Sequence, residues 1–244
     1  MNGAETLVRT LADSGVAVCF ANPGTSEMHF VAALDREPRL RGVQCLQEAV
    51  AAGAADGYAR MAGKPAAALL HLGPGFANAI SFLHNARKAR AGIVAVVGDH
   101  ARSHARYAQA PLTSDILAIC GSVSDWLRRP ETPDAVAGDG ARAVAAAKGR
   151  HIATLVLPAD CAWDDARASA PPLPAAPAKI PGAGTVTRIA MVLKNGRRSA
   201  LLLRGGPRRA SATRTAEIKR GRHARSMVAP VRVERTRPFR NNGF

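Results

Sequence analysis

The residues best suited to chemistry lie close together, between Leu46 and Asn78. Glu48 stands between an apolar run at 43–46 and a long small-residue helical pattern. Gly73-Pro74-Gly75 follows a second apolar run at 66–72, near the end of which stands His71. If both runs are strands of an open parallel sheet, the loops after them emerge at one edge, where such sheets bind ligands. A carboxylate held there among apolar neighbours has its protonated form favoured and can exchange a proton with a ring nitrogen. The competing reading is a first-turn acid that complements the helix dipole, worth about 0.5 kcal/mol.

The His71 imidazole could point into the same cleft, although a lone histidine in an apolar strand is more often a satisfied core residue. Asn78, three residues past Gly75, can hydrogen-bond a ligand or cap a helix. Asn22-Pro23-Gly24 supplies a third loop. Glycines in these loops let backbone approach a flat ring or a phosphate, and the helix starts behind them offer free N–H donors. Each dipeptide alone marks an ordinary turn, so the signal is their joint placement.

Strands are expected near 16–21, 43–46, 66–72, 93–97, 123–126 and 154–157. Helices are expected over 4–14, from Thr25 or Ser26 with Glu27 in its first turn, and over 49–61, 77–89, 115–119 and 133–147. The alternation predicts an α/β fold: a doubly wound, mainly parallel six-stranded sheet with helices on both faces. Several strands read as continuous apolar runs, as they should when both sheet faces are covered. This domain is expected to span residues 1–165. A Pro/Ala-rich linker is expected over 166–184, then the start of a second, incomplete α/β unit over 185–204. A helix at 185–193 and a strand at 199–203 would open that unit. Residues 205–244 read as a basic tail without period, expected to be disordered.

A hydrophobic content of 47% excludes general disorder, and an aromatic content of 4% leaves the core to Ala, Val and Leu. No apolar stretch approaches the ~20 residues of a membrane span, and the N-terminus carries acids and no basic region before an apolar block. A cytoplasmic protein with no membrane partner is expected. Cys19, Cys45, Cys120 and Cys161 are far apart and form no CxxC pair, so buried free thiols are expected instead of a zinc or disulfide framework. The net charge of +16 is uneven: residues 194–244 hold 15 of the 34 Lys and Arg and 2 of the 18 Asp and Glu, or +13. The first 193 residues therefore carry only +3. A basic arm could bind nucleic acid by counterion release, but the absence of a folded motif or interleaved aromatics argues against that partner.

The segments FANPGTSEMHFVAALD, LQEAVAAGAADGYARMAGKPA and LLHLGPGFANAISFLHNARKARAGIVAVVGDH resemble the N-terminal pyrimidine-binding domain of thiamine-diphosphate enzymes of the acetolactate synthase and benzoylformate decarboxylase group. The resemblance runs over about residues 1–165. It implies that Glu48 is the glutamate that hydrogen-bonds the aminopyrimidine and promotes the tautomer from which the reactive carbanion arises, which then attacks a 2-oxo acid. It also implies that Pro23, Gly24, Gly73, Pro74, Gly75 and Asn78 line the pyrimidine pocket, and that His71 handles protons during decarboxylation. In such enzymes the site lies between subunits, so a homodimer, or pairing with a full-length paralogue, is implied.

The chain departs from the family in two respects. Acetolactate synthases carry a Phe-Gln-Glu segment where this chain has Arg106-Tyr107-Ala108-Gln109, which leaves pyruvate open as the substrate. Family members also hold the diphosphate and Mg²⁺ through a third domain with a Gly-Asp-Gly motif and a following asparagine. The Gly138-Asp139-Gly140 of this chain has no such asparagine and reads as a turn and helix N-cap. No metal ligands are assigned here. The expected activity is 2-oxo acid decarboxylation or carboligation, this chain carrying only the pyrimidine half of the site and being inactive alone. The Arg-rich end is expected to reflect a truncation or frameshift; a catalytically inactive, dimerising fragment is the alternative.

Overall fold

The computed structural model describes residues 1–107, 110–175 and 180–195. The first helix, α1 (Gly3–Asp13), opens on a capping box: Asn2 Oδ1 accepts from the Glu5 N–H at 2.9 Å and Glu5 Oε2 from the Asn2 N–H at 3.1 Å. Strands and helices then alternate as β1 (Val18–Asn22), a 3₁₀ turn (Thr25–Glu27), α2 (Met28–Asp35), β2 (Arg41–Gln44), α3 (Glu48–Ala62), β3 (Ala66–Leu70), α4 (Leu72–Ala89) and β4 (Ile93–Asp99). A second 3₁₀ segment (Arg102–Tyr107), α5 (Ile116–Gly121), β5 (Trp126–Arg128), α6 (Pro133–Lys148), β6 (Ile152–Pro158) and α7 (Ala159–Trp163) complete the α/β part.

The six strands form one sheet in the order β2-β1-β3-β4-β6-β5, with all five pairings parallel. Their apolar runs feed two cores. Ala67, Leu69, Val94 and Val96 face α1, α2 and α6 through Leu7, Phe30 and Val144; Ala66, Ala68, Leu70 and Val97 face α3, α4 and α5 through Ala55, Phe76, Leu83 and Cys120. Each fully buried Leu or Phe contributes about 1.5–3 kcal/mol by leaving water. Because β2 lies on one side of β1 and β3 on the other, a crevice opens at the carboxyl ends of β1 and β3. All four cysteines are free and buried, and burial pushes the Cys19 thiol up to about 12.

Three local expectations are corrected. Gly73-Pro74-Gly75 is the first turn of α4 and not a loop, because His71 already occupies the N-cap position. Gly138-Asp139-Gly140 lies inside α6, whose N-cap is Thr132; a Cβ at Gly140 would collide with Leu7, so the glycine lets α1 and α6 close on each other. The strand expected at 43–46 is displaced to Arg41–Gln44, leaving Leu46 90% exposed. The short helix α7 carries no periodic signal in the sequence. No described helix is long and apolar enough to cross a membrane.

Internal contacts divide the chain into Met1–Val192 and Leu193–Phe244. The start of the proline-rich stretch is tied to α1 by the bond from the Ala170 N–H to Thr10 Oγ1 (3.0 Å). α8 (Ala183–Lys194) forms where a helix was expected, starts within the expected linker, and has no buried residue. The expected strand at 199–203 and the tail at 205–244 lie outside the described residues.

Candidate functional site

β1 delivers the chain to half-buried Pro23 and Gly24, and the 3₁₀ turn that follows folds Glu27 back beneath them. Glu27 Oε2 accepts from the Gly24 N–H at 2.7 Å and lies 2.8 Å from His71 Nδ1. Its side chain is 1% exposed. Oε1 has no hydrogen-bond partner among the described residues and sits against Gly98 of β4, where any Cβ would overlap it. Burial raises the Glu27 pKa, opposed by the hydrogen bonds from Gly24 and His71.

His71 arrives from β3 and its ring lies directly on Gly24, where a Cβ would collide with it. The next residue, Leu72, is buried with φ 53, a left-handed conformation that costs a non-glycine residue about 1–3 kcal/mol. That strained turn carries the chain from β3 into α4 between His71 and the glycines.

Glu48 begins α3, but Gln47 caps this helix by accepting from the N–H groups of Ala49 (2.8 Å) and Val50 (3.3 Å). The Glu48 carboxylate is thereby left for other work. It is buried, its Oε2 accepts from Asn78 Nδ2 at 3.1 Å, and its Oε1 has no hydrogen bond among the described residues. A Cβ at Gly75 would sit 2.8 Å from that free oxygen and 3.3 Å from His71 Cβ. Only a glycine leaves this space open.

The sequence-selected residues therefore meet: Gly24 touches His71, Gly75 lies between His71 and Glu48, and Asn78 holds Glu48. Asn78 is inside α4 and is no cap. Pro74 is exposed, and Gly73 abuts Ser114 instead of Glu48. Sequence reasoning gave Glu27 only a place in a helix's first turn, and it missed Gly98. The spacing Gly24-x-x-Glu27, that of a capping box, was the available signal. A cavity of about 360 Å³ adjoins at Leu72 and Gly73; Asp99, His100, Ser114 and Arg129 line it, and neither Glu48 nor His71 does.

A doubly wound parallel sheet with a glycine-lined carboxylate near the carboxyl ends of its strands places the chain among α/β domains, and comparison with known proteins narrows the class. Residues 1–119 match the family described as thiamine pyrophosphate enzyme, N-terminal TPP binding domain. Residues 1–119 are thus a domain of the kind that opens the thiamine pyrophosphate enzymes. A Mycobacterium tuberculosis (strain ATCC 25618 / H37Rv) protein provisionally named acetolactate synthase large subunit IlvX is 56% identical over 206 residues, 84% of this chain and 39% of that protein. The chloroplastic acetolactate synthase of Arabidopsis thaliana is 38% identical over 96 residues, 39% of this chain and 14% of that one. This chain thus spans well under half the length of these relatives. The fold is similar to that of the Rhodococcus jostii RHA1 thiamine diphosphate-dependent 4-hydroxybenzoylformate decarboxylase, with a TM-score of 0.69 at 20% identity over 80% of this chain and 38% of that one.

Proposed function

We propose that this chain supplies the pyrimidine-facing half of a thiamine diphosphate site that decarboxylates or carboligates a 2-oxo acid, in the manner of an acetolactate synthase. The observation that carries the reading is the divided carboxylate of Glu48. One oxygen is held by Asn78 and the other is bare, beside a glycine with no side chain to block it. The residues present fit an aminopyrimidine: Glu48, through its Oε1, would bind a ring nitrogen, and Gly75, with Pro23, Gly24, Gly73 and Pro74 nearby, would line the pocket. When bound, thiamine diphosphate supplies the carbon nucleophile and the electron sink for loss of CO₂. Glu48 exchanges a proton with the ring nitrogen, Asn78 orients Glu48, and His71 moves a proton on the substrate side.

The described residues include no group of three or more His, Cys, Asp or Glu able to hold a metal. We assign the diphosphate and Mg²⁺ to a full-length paralogue that pairs with this chain. In support, Leu46 and Val50 flank Glu48 in sequence, Phe82 lies one turn beyond Asn78, and all three are exposed, at 90%, 56% and 42%. Apolar side chains beside a cleft mark a surface that a partner covers. A cytoplasmic setting belongs to the same proposal, in keeping with four buried free thiols.

Isothermal titration of the 244-residue chain with thiamine diphosphate and Mg²⁺ tests the reading. Weak binding that Glu48→Gln diminishes, without CO₂ release from pyruvate or benzoylformate, is expected. Absence of binding, or binding indifferent to Glu48→Gln, overturns the cofactor assignment; CO₂ release by the chain alone overturns the half-site assignment.

A further inference from the structure

We propose that Glu27 is the positioning residue that fixes the His71 ring with its proton on Nδ1, leaving Nε2 as an acceptor with no partner among the described residues. The inference deepens the proposed function, since the location of this proton matters only if the cleft carries out proton chemistry.

Three observations converge. The Gly24 backbone N–H can only donate, and it does so to Glu27 Oε2 at 2.7 Å; the same oxygen lies 2.8 Å from His71 Nδ1. An oxygen that accepts one N–H keeps a second lone pair for another. Next, Oε1 is buried without a partner against Gly98. Should the carboxylate take up a proton, as its raised pKa favours, Oε1 can carry it without breaking either hydrogen bond. Oε2 is then an acceptor in both states. Finally, the ring is wedged: Gly24 lies against it, and the strained Leu72 follows it in the chain. Glu27 is sealed at 1% exposure while the His71 side chain is 23% exposed, so the pair has one end anchored in the core and one within reach of a ligand.

A neutral imidazole held in this form meets a ligand as a proton acceptor through Nε2. After it has taken a proton, the carboxylate behind it stabilises the imidazolium and the ring becomes a donor. No atom of Glu27 needs to touch a ligand for this. Its role is to set which nitrogen is bare.

The test is a two-bond ¹H–¹⁵N correlation spectrum of the ¹⁵N-labelled full chain without ligand, with the His71 signals assigned by their loss in His71→Gln. The Nδ1–H form is expected in about tenfold excess or more, as a hydrogen bond to a charged group supplies. Glu27→Gln retains the pattern, because an amide oxygen can accept both N–H groups, whereas Glu27→Ala brings the two forms near parity. A wild-type ring protonated on Nε2 overturns the proposal, as that would mean Glu27 donates to Nδ1. An unchanged pattern in Glu27→Ala overturns it as well. If Glu27→Ala does not fold by circular dichroism, the wild-type and Glu27→Gln spectra still decide. These spectra need no cofactor, so failure of thiamine diphosphate to bind strikes the parent proposal and leaves the tautomer readable.

Discussion

Glu27 follows β1 and Glu48 follows β2, neighbouring strands of one sheet, yet the two carboxylates keep different company. Glu27 is closed in: Oε2 serves a backbone N–H and an imidazole, while Oε1 faces only Gly98. Among the described residues Glu48 has a single side-chain partner, Asn78, and its second oxygen opens beside Gly75. Both are acids just past a strand, so their difference teaches that the surrounding glycines decide whether a carboxylate holds the protein or holds a ligand. A missing Cβ at Gly98 admits a buried oxygen, and one at Gly75 leaves space in front of an available oxygen.

The largest test of this contrast is Glu48→Gln. In co-assemblies of this chain with a full-length paralogue, CO₂ release from sites built on this chain is expected to fall by about 10²–10⁴-fold, the range for loss of a general acid–base group. The melting temperature should stay within a degree or two of wild type, because the shape of the side chain is kept. Unchanged turnover removes Glu48 from the reaction.

Glycine substitutions sharpen the contrast next. Gly24→Ala forces a methyl into the His71 ring and is expected to cost about 1–3 kcal/mol in urea unfolding, as overpacking does. Gly98→Ala, which collides with Glu27 Oε1, should cost a similar amount. Gly57→Ala is the control: it lies within α3, its Cβ meets no atom within 4 Å, and it should stabilise by about 0.5–1 kcal/mol through helix propensity. If all three behave alike, close packing at Gly24 and Gly98 is not what holds the Glu27–His71 pair.

A pH series on Glu27→Gln gives a smaller effect of defined sign. Burial raises the folded-state pKa of Glu27 above its unfolded value, so its contribution to stability is fully present below that ordinary carboxylate value of about 4.3 and is lost as pH rises through the raised one. The neutral variant lacks this term. Urea midpoints measured from pH 4 to pH 8 should therefore show Glu27→Gln gaining on wild type as pH rises, and the reverse trend contradicts the burial argument.

The smallest change is expected for Asn78→Ala. Asn78 is exposed and makes one 3.1 Å bond to Glu48, so unfolding should shift by no more than about 0.5–1.5 kcal/mol. Thiamine diphosphate affinity, read by calorimetry, should weaken several-fold because Glu48 loses its orienting partner. A larger loss of stability than of affinity would recast Asn78 as a support of the fold.

Much of the architecture was legible in the residues. The apolar runs at 66–72 and 93–97 read as strands covered on both faces and the small-residue pattern at 49–61 as a helix, and the structure has β3, β4 and α3 there within a few residues. Element edges were less legible: Leu46 is apolar, yet it stands exposed beyond β2, because the register of an edge strand is set by its pairing with β1. Gly138-Asp139-Gly140 looked like punctuation, and the need of α1 for a close approach keeps it in the middle of α6.

By itself the sequence determined the alternation of strands and helices, the neutral body with its basic end, and the acid at Glu48 among small residues, since these rest on local period and composition. Only the tertiary structure decided that β1 lies between β2 and β3. That order brings Gly24 onto His71, makes the first-turn acid Glu27 a buried partner of that ring, and leaves one oxygen of Glu48 free. Those relations depend on distances between residues far apart in the chain, which packing sets and local pattern does not encode.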